Sequence, residues 1–119
     1  MWTVMSYNND LNQGISTETS FGYQSTPMAF DIAALQAIYG ANTSYNFGDN
    51  TYTLANINQF GTNWSCIWDA GGNDTITNQG SSKDCNIDLR EASLVGENAG
   101  GYVSNVIGVR GGFTIAHNV

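Results

Sequence analysis

From residue 41 onward every apolar run in this chain is short, and each is bounded by Gly, Asn or Asp. "NTYTL", "SCIWD", "DTIT", "NIDLR", "YVSNVIGV" and "FTIAHNV" follow one another in this way. Runs of this length are too brief for helices. Their β-branched and aromatic content, set between turn formers, predicts short strands. A spacing of about 10 residues suits a β-sandwich or the start of an open β-roll. Fourteen glycines against one proline agree with turn-rich β structure. One stretch is different. "TPMAFDIAALQAIYG" predicts a helix over 26–39, with Thr26 as N-cap and Pro27 in the first turn. Met28, Ile32, Leu35 and Tyr39 form an apolar stripe, expected to be core. Asp31 lies where the helix dipole favours an anion, and Gly40 suits the position just past the end. Residues 1–7 read as a buried turn or strand and 8–25 as a loop. The expected fold is therefore mainly β with one helix near the N-terminus. It divides into 1–40 and 41–119 and packs as one unit.

Charge narrows the partners. Three Lys and Arg stand against ten Asp and Glu in 119 residues, a formal charge of −7. A nucleic-acid partner is excluded, because neutralising phosphates takes clustered basic residues. An anionic membrane surface is disfavoured for the same reason. The excess of carboxylates fits simple solubility or divalent cations. No apolar run is long enough to span a bilayer. "MWTVMSYNND" has neither the basic start nor the apolar stretch of a signal peptide. Cys66 and Cys85 do not form a CxxC. They either pair after export or remain two small buried thiols. If "WDAGGNDTI" is a hairpin, its antiparallel return sets them on neighbouring strands.

Candidate sites are few. In "DAGGND" Asp69 and Asp74 flank Gly71 and Gly72. The glycines allow backbone carbonyls to turn inward, and calcium takes six to eight oxygens of mixed carboxylate and carbonyl type. The alternative is an ordinary turn with Asp at its ends. "NFGDN", carrying Asn46, Gly48 and Asn50, is a second oxygen-rich loop that by itself reads as a turn. The one histidine, His117, cannot build a catalytic zinc site, and there is no HExxH or GxSxG. It reads as a surface or strand-edge residue.

The order of motifs carries more than any one of them. "TVMSY", "TPMAFDIAALQAIYGAN", "FGDNTY", "WDAGGNDT" and "IDLREAS" together closely resemble the serralysin-type secreted zinc metalloendopeptidases, a branch of the metzincins. The resemblance runs over nearly the whole chain. It implies that Met5 is the Met-turn methionine beneath the catalytic zinc. It implies that Tyr7 is the tyrosine that approaches the zinc and stabilises the developing oxyanion. It also implies that calcium is bound by Asp69, Gly71, Gly72 and Asp74, with further oxygens from Asn46, Gly48 and Asn50. Asn46 stands where the family often has Arg, a change that a main-chain carbonyl ligand survives. The family's zinc helix, HExxHxxGxxH, is expected upstream of Met5, and its glycine-rich repeats are expected beyond "TIAHNV".

The expectation is a non-catalytic, extracellular piece of such a protease, with zinc and a peptide substrate belonging only to a full-length parent. Loss of a protease partner would expose Trp2, Val4 and Met5 and favour self-association. The competing reading is a free-standing extracellular module that binds a polysaccharide or a protein, with Trp2, Trp64, Trp68 and the tyrosines as a sugar platform. A complete small hydrolase lacks a nucleophile or metal set.

Overall fold

The computed structural model describes residues 2–5 and 20–119. It holds one helix, α1 (Ala29–Tyr39), followed by six short strands: β1 (Thr51–Thr53), β2 (Trp64–Ile67), β3 (Thr75–Thr77), β4 (Cys85–Asn86), β5 (Asn105–Val106) and β6 (Gly112–Ile115). The chain is mainly β with one helix near its start, as the turn-bounded runs imply. Two of the three pairings are not between sequence neighbours, however. β1 runs parallel to β3, β2 parallel to β6, and β4 antiparallel to β5.

The helix begins later than the sequence suggests. Met28 occupies the N-cap, and its N–H donates to the Asp31 carboxylate at 2.9 Å, the backward half of a capping box. Thr26 is drawn off by β2: its hydroxyl oxygen accepts the Cys66 N–H at 2.9 Å. It therefore ties the approach to the helix onto the sheet. The stripe is also only half core. Met28 and Ile32 are buried, but Leu35 and Tyr39 are exposed, Tyr39 at 81 %. The second half of α1 stands clear of the sheets. It is anchored through Gln36, whose amide donates to the His117 carbonyl at 3.0 Å.

Asp31 binds the N-terminal segment as well. Its carboxylate accepts from the Thr3 hydroxyl at 2.5 Å and the Val4 N–H at 2.8 Å. Residues 2–5 form the expected turn, but it is not buried. Met5 is 82 % and Val4 48 % exposed, while Trp2 is half-buried against Gly100. A Cβ at Gly100 would fall inside the Trp2 ring, so glycine is required for this contact.

Two apolar clusters fill the interior. The first joins Met28, Ala29 and Ile32 of the helix region to Trp64, Cys66, Ala92 and Ala116. The second is Leu54, Val106 and Val109, with Ile76, Cys85 and Phe113 against it. Each cysteine thus belongs to a different cluster. β2 and β4 are not neighbours, and both thiols are free. The expected pairing fails because "DAGGND" is not a hairpin turn: it carries the chain from β2 to β3, which pairs with β1. Burial pushes the Cys66 thiol up to about 11, which makes it an unreactive core residue.

Asp31 supplies a pH test. Burial alone would raise its pKa, but hydrogen bonds from Thr3, Met28 and Val4 outweigh this and hold it below its ordinary 3.8. A depressed carboxyl stabilises the fold above its unfolded value, and that contribution is lost as pH falls through the folded one. Chemical denaturation should show wild type losing stability below pH 3.8. Asp31→Asn should show a flatter acid branch, and Asp31→Ala should cost about 1 kcal/mol at pH 7 as a lost cap. Equal acid branches in wild type and Asp31→Asn would exclude this role.

Candidate metal centre

The parallel pairing of β1 with β3 sets Thr51 opposite Thr75, Tyr52 opposite Ile76 and Thr53 opposite Thr77. The same register continues backwards into the two preceding loops. The Asn50 N–H donates to Asp74 Oδ1 and the Asn73 N–H to Asp49 Oδ1, both at 2.9 Å and both across 24 residues. At the far end, the Ala70 N–H donates to the Tyr45 carbonyl at 3.0 Å. The segments 45–50 and 69–75, which read singly as turns and by resemblance as parts of one calcium site, are therefore stacked on one another.

The stack is tight where both chains carry glycine. A Cβ on Gly72 would lie 2.6 Å from the Gly48 carbonyl oxygen, and the Gly72 φ of +125° is itself hostile to other residues. Gly71 has φ +147° and donates its N–H to Asp69 Oδ1 at 3.1 Å. Asn46 adopts a left-handed φ of +52°, a conformation Asn tolerates.

Oxygens converge on the Asn50 side chain. Its amide nitrogen lies 2.5 Å from the Gly48 carbonyl, 3.2 Å from that of Asn46 and 3.4 Å from Asp69 Oδ2. Asp69 is 4 % exposed. β2 delivers it: along this strand Ile67 and Asp69 share one side while Trp64 and Cys66 face the first core cluster. On the open side a cavity of about 360 Å³ is bordered by Asp69, Gly71, Gly72 and Asp74, together with Tyr52, Leu89 and Val119.

The stack brings all seven predicted residues together, but Asn50 meets Asn46, Gly48, Asp69 and Asp74 through its N–H groups and not through its side-chain oxygen. Gly71 and Gly72 hold the curve of the loop. Two residues escaped the sequence reading. Asp49 receives Asn73, as above. Tyr52 donates its hydroxyl to Asp69 Oδ2 at 2.6 Å. Burial comes first in raising the Tyr52 phenol well above its ordinary value, followed by the hydrogen bond and charge of Asp69 and then the charge of Asp74. Strand alternation was the available signal, since Tyr52 is two residues from Asn50 and shares its side.

Chemically this is a hard-oxygen set, partly anionic and partly main-chain carbonyl, of the kind calcium takes. Among the described residues no cluster of three or more His, Cys, Asp and Glu lies close enough to hold a metal ion. A cation here would depend on carbonyls. The resemblance assigns zinc only to a full-length parent. His117 is half-buried and its Nδ1 donates to the Ala92 carbonyl at 3.1 Å. Met5 projects into solvent, and Tyr7 lies outside the described residues. The sugar platform is not favoured: Trp64 is 2 % exposed in the core and Trp2 is held at Gly100.

The family model described as Peptidase M10 serralysin C terminal matches residues 29–119. The chain belongs to this serralysin family. A serralysin of Photorhabdus luminescens is 39 % identical over 129 residues, covering 99 % of this chain and 24 % of the relative. Metallopeptidase AprA of Pseudomonas marginalis is 38 % identical over 117 residues, covering 88 % and 24 %. A serralysin of Proteus mirabilis is 34 % identical over 127 residues, covering 99 % and 24 %. The chain spans about a quarter of the length of these curated serralysin relatives.

The stacking of Gly72 on Gly48 gives a direct check. Gly72→Ala should destabilise the protein by more than about 1 kcal/mol, the usual cost of alanine at positive φ. Gly80→Ala also sits at positive φ but meets nothing, so it should cost less. Equal losses in denaturant midpoints would show that the two loops do not need to touch.

Proposed function

We propose that this chain is a non-catalytic piece of a secreted, serralysin-like metalloendopeptidase, and that its loop pair is a structural calcium site. Residues 1–40 would belong to the end of the protease-like region, with Met5 and Tyr7 in the Met-turn. Residues 41–119 would begin the calcium-binding β-roll, and the parallel β1–β3 pair favours a roll over a sandwich. Family membership and the relatives' names support the protease assignment. The extracellular location follows from that assignment. No described helix is long and apolar enough to cross a membrane.

The observation that carries the calcium reading is the convergence of the Asn46 and Gly48 carbonyls and Asp69 Oδ2 on a single point. Asp69 and Asp74 would supply charge, the carbonyls would complete the shell, and Tyr52 would hold Asp69 in place. The ion contributes no reaction here: it pins one loop to the other. Binding only the folded state, calcium stabilises by about 2.7 kcal/mol at one hundred times its dissociation constant. That constant should fall near 10⁻⁴ to 10⁻³ M, roughly the range of extracellular modules.

Thermal unfolding should therefore give a higher midpoint in millimolar calcium than in EGTA, and Asp69→Asn should lose most of the difference. An unchanged wild-type midpoint would reduce the loop pair to two stacked turns. The protein should not hydrolyse casein with or without added zinc. Zinc-dependent hydrolysis that disappears in Tyr7→Phe would show that catalytic parts are present after all.

A further inference from the structure

We infer that the Asn50 carboxamide is an internal stand-in for the cation: it holds the two loops together through the oxygens the ion would take, and so competes with the ion for them. The inference rests on the calcium reading above. The Gly48 and Asn46 carbonyls and Asp69 Oδ2 are acceptors only, and all three lie within 3.4 Å of the Asn50 side-chain nitrogen. Turning the amide end for end would bring a fourth acceptor oxygen against them with no proton between. The hydrogen-bond chemistry therefore fixes the nitrogen on the inside. An N–H donor and a cation satisfy lone pairs in the same way, and these oxygens cannot be given fully to both.

The backbone of Asn50 is committed elsewhere. Its N–H goes to Asp74 Oδ1 at 2.9 Å and its carbonyl accepts the Thr75 N–H at 2.9 Å. The carboxamide can thus swing out about its side-chain torsions while the register of the two loops is kept. Asn50 then separates two roles. Its main chain belongs to the parallel stack whether or not an ion is bound, and its side chain is the part that yields. The loop pair is assembled before binding, at the expense of affinity.

Calcium chloride titration by calorimetry and thermal unfolding in EGTA, on wild type, Asn50→Ala and Asn50→Ser, test this. Both variants should unfold at lower temperature in EGTA. Both should bind calcium roughly three- to tenfold more tightly, the equivalent of one net hydrogen bond no longer displaced. Calcium affinity equal to wild type, or weaker, in both variants overturns the inference and leaves the calcium site intact, with Asn50 a bystander or a ligand. Absence of calcium binding in wild type and both variants removes the calcium reading, and this inference falls with it.

Discussion

The parallel register of Thr51 with Thr75 is the constraint on which the candidate site depends. Three short residues of pairing are not much of a sheet. Continued backwards at the same offset, they decide that Gly48 meets Gly72, that Asp49 receives Asn73, and that Asp74 receives Asn50. A slip of one residue would turn every side chain of β3 to the other face. A slip in one direction would also set Asn73, with its Cβ, against Gly48, whereas a slip in the other would offer Gly71. The glycine contact therefore excludes one slip, and the hydrogen bonds of the β1–β3 pair and its loops select the register.

That register is held from outside the loops by β6. Phe113 of this strand packs edge-on against Tyr52 with ring centroids 5.7 Å apart, and it lies against the second core cluster. Tyr52 in turn donates to Asp69. Across β6, the pairing of Ile115 with Ile67 sets the strand that ends just before Asp69. The carboxylate is thus placed twice, once by its own strand and once through Phe113 and Tyr52. Just beyond β6, the His117 carbonyl receives Gln36 of α1 and Ala116 joins the helix in the first cluster. Burial of Met28, Ile32 and Trp64, each worth roughly 1.5–3 kcal/mol, supports the geometry of a polar site that they do not touch.

How much of this was legible can be judged residue by residue. Strand positions were in part, because β-branched runs bounded by Gly, Asn and Asp have few other uses; "NIDLR" overlaps its strand only at Asn86, and "YVSNVIGV" only at Asn105 and Val106. Partners were not. "DAGGND" reads as a hairpin because nothing local distinguishes a turn between antiparallel neighbours from a crossing between separate sheets. The expected Cys66–Cys85 pairing failed on that one ambiguity. Thr26 and Leu35 failed for a different reason. Helix signals are local, whereas Thr26 is claimed by the Cys66 N–H and Leu35 has no neighbouring strand to cover it. The oxygen donors were legible as a set through the family resemblance. Tyr52 was overlooked because a tyrosine in a strand carries no mark of the carboxylate that another strand will bring to it.

Charge gives the last connection. The chain carries ten carboxylate residues against three cations, and its loop pair gathers Asp49, Asp69 and Asp74 in one stack. Arg90, one of the few bases, is spent on Asp88 and on the face of Tyr102, well along the chain from these loops. No side-chain cation among the described residues pairs with the three loop carboxylates; they are met by N–H groups, amide and phenol. Neutral donors satisfy lone pairs but cancel no charge, and that is the feature of the loop pair which the proposed calcium ion would answer.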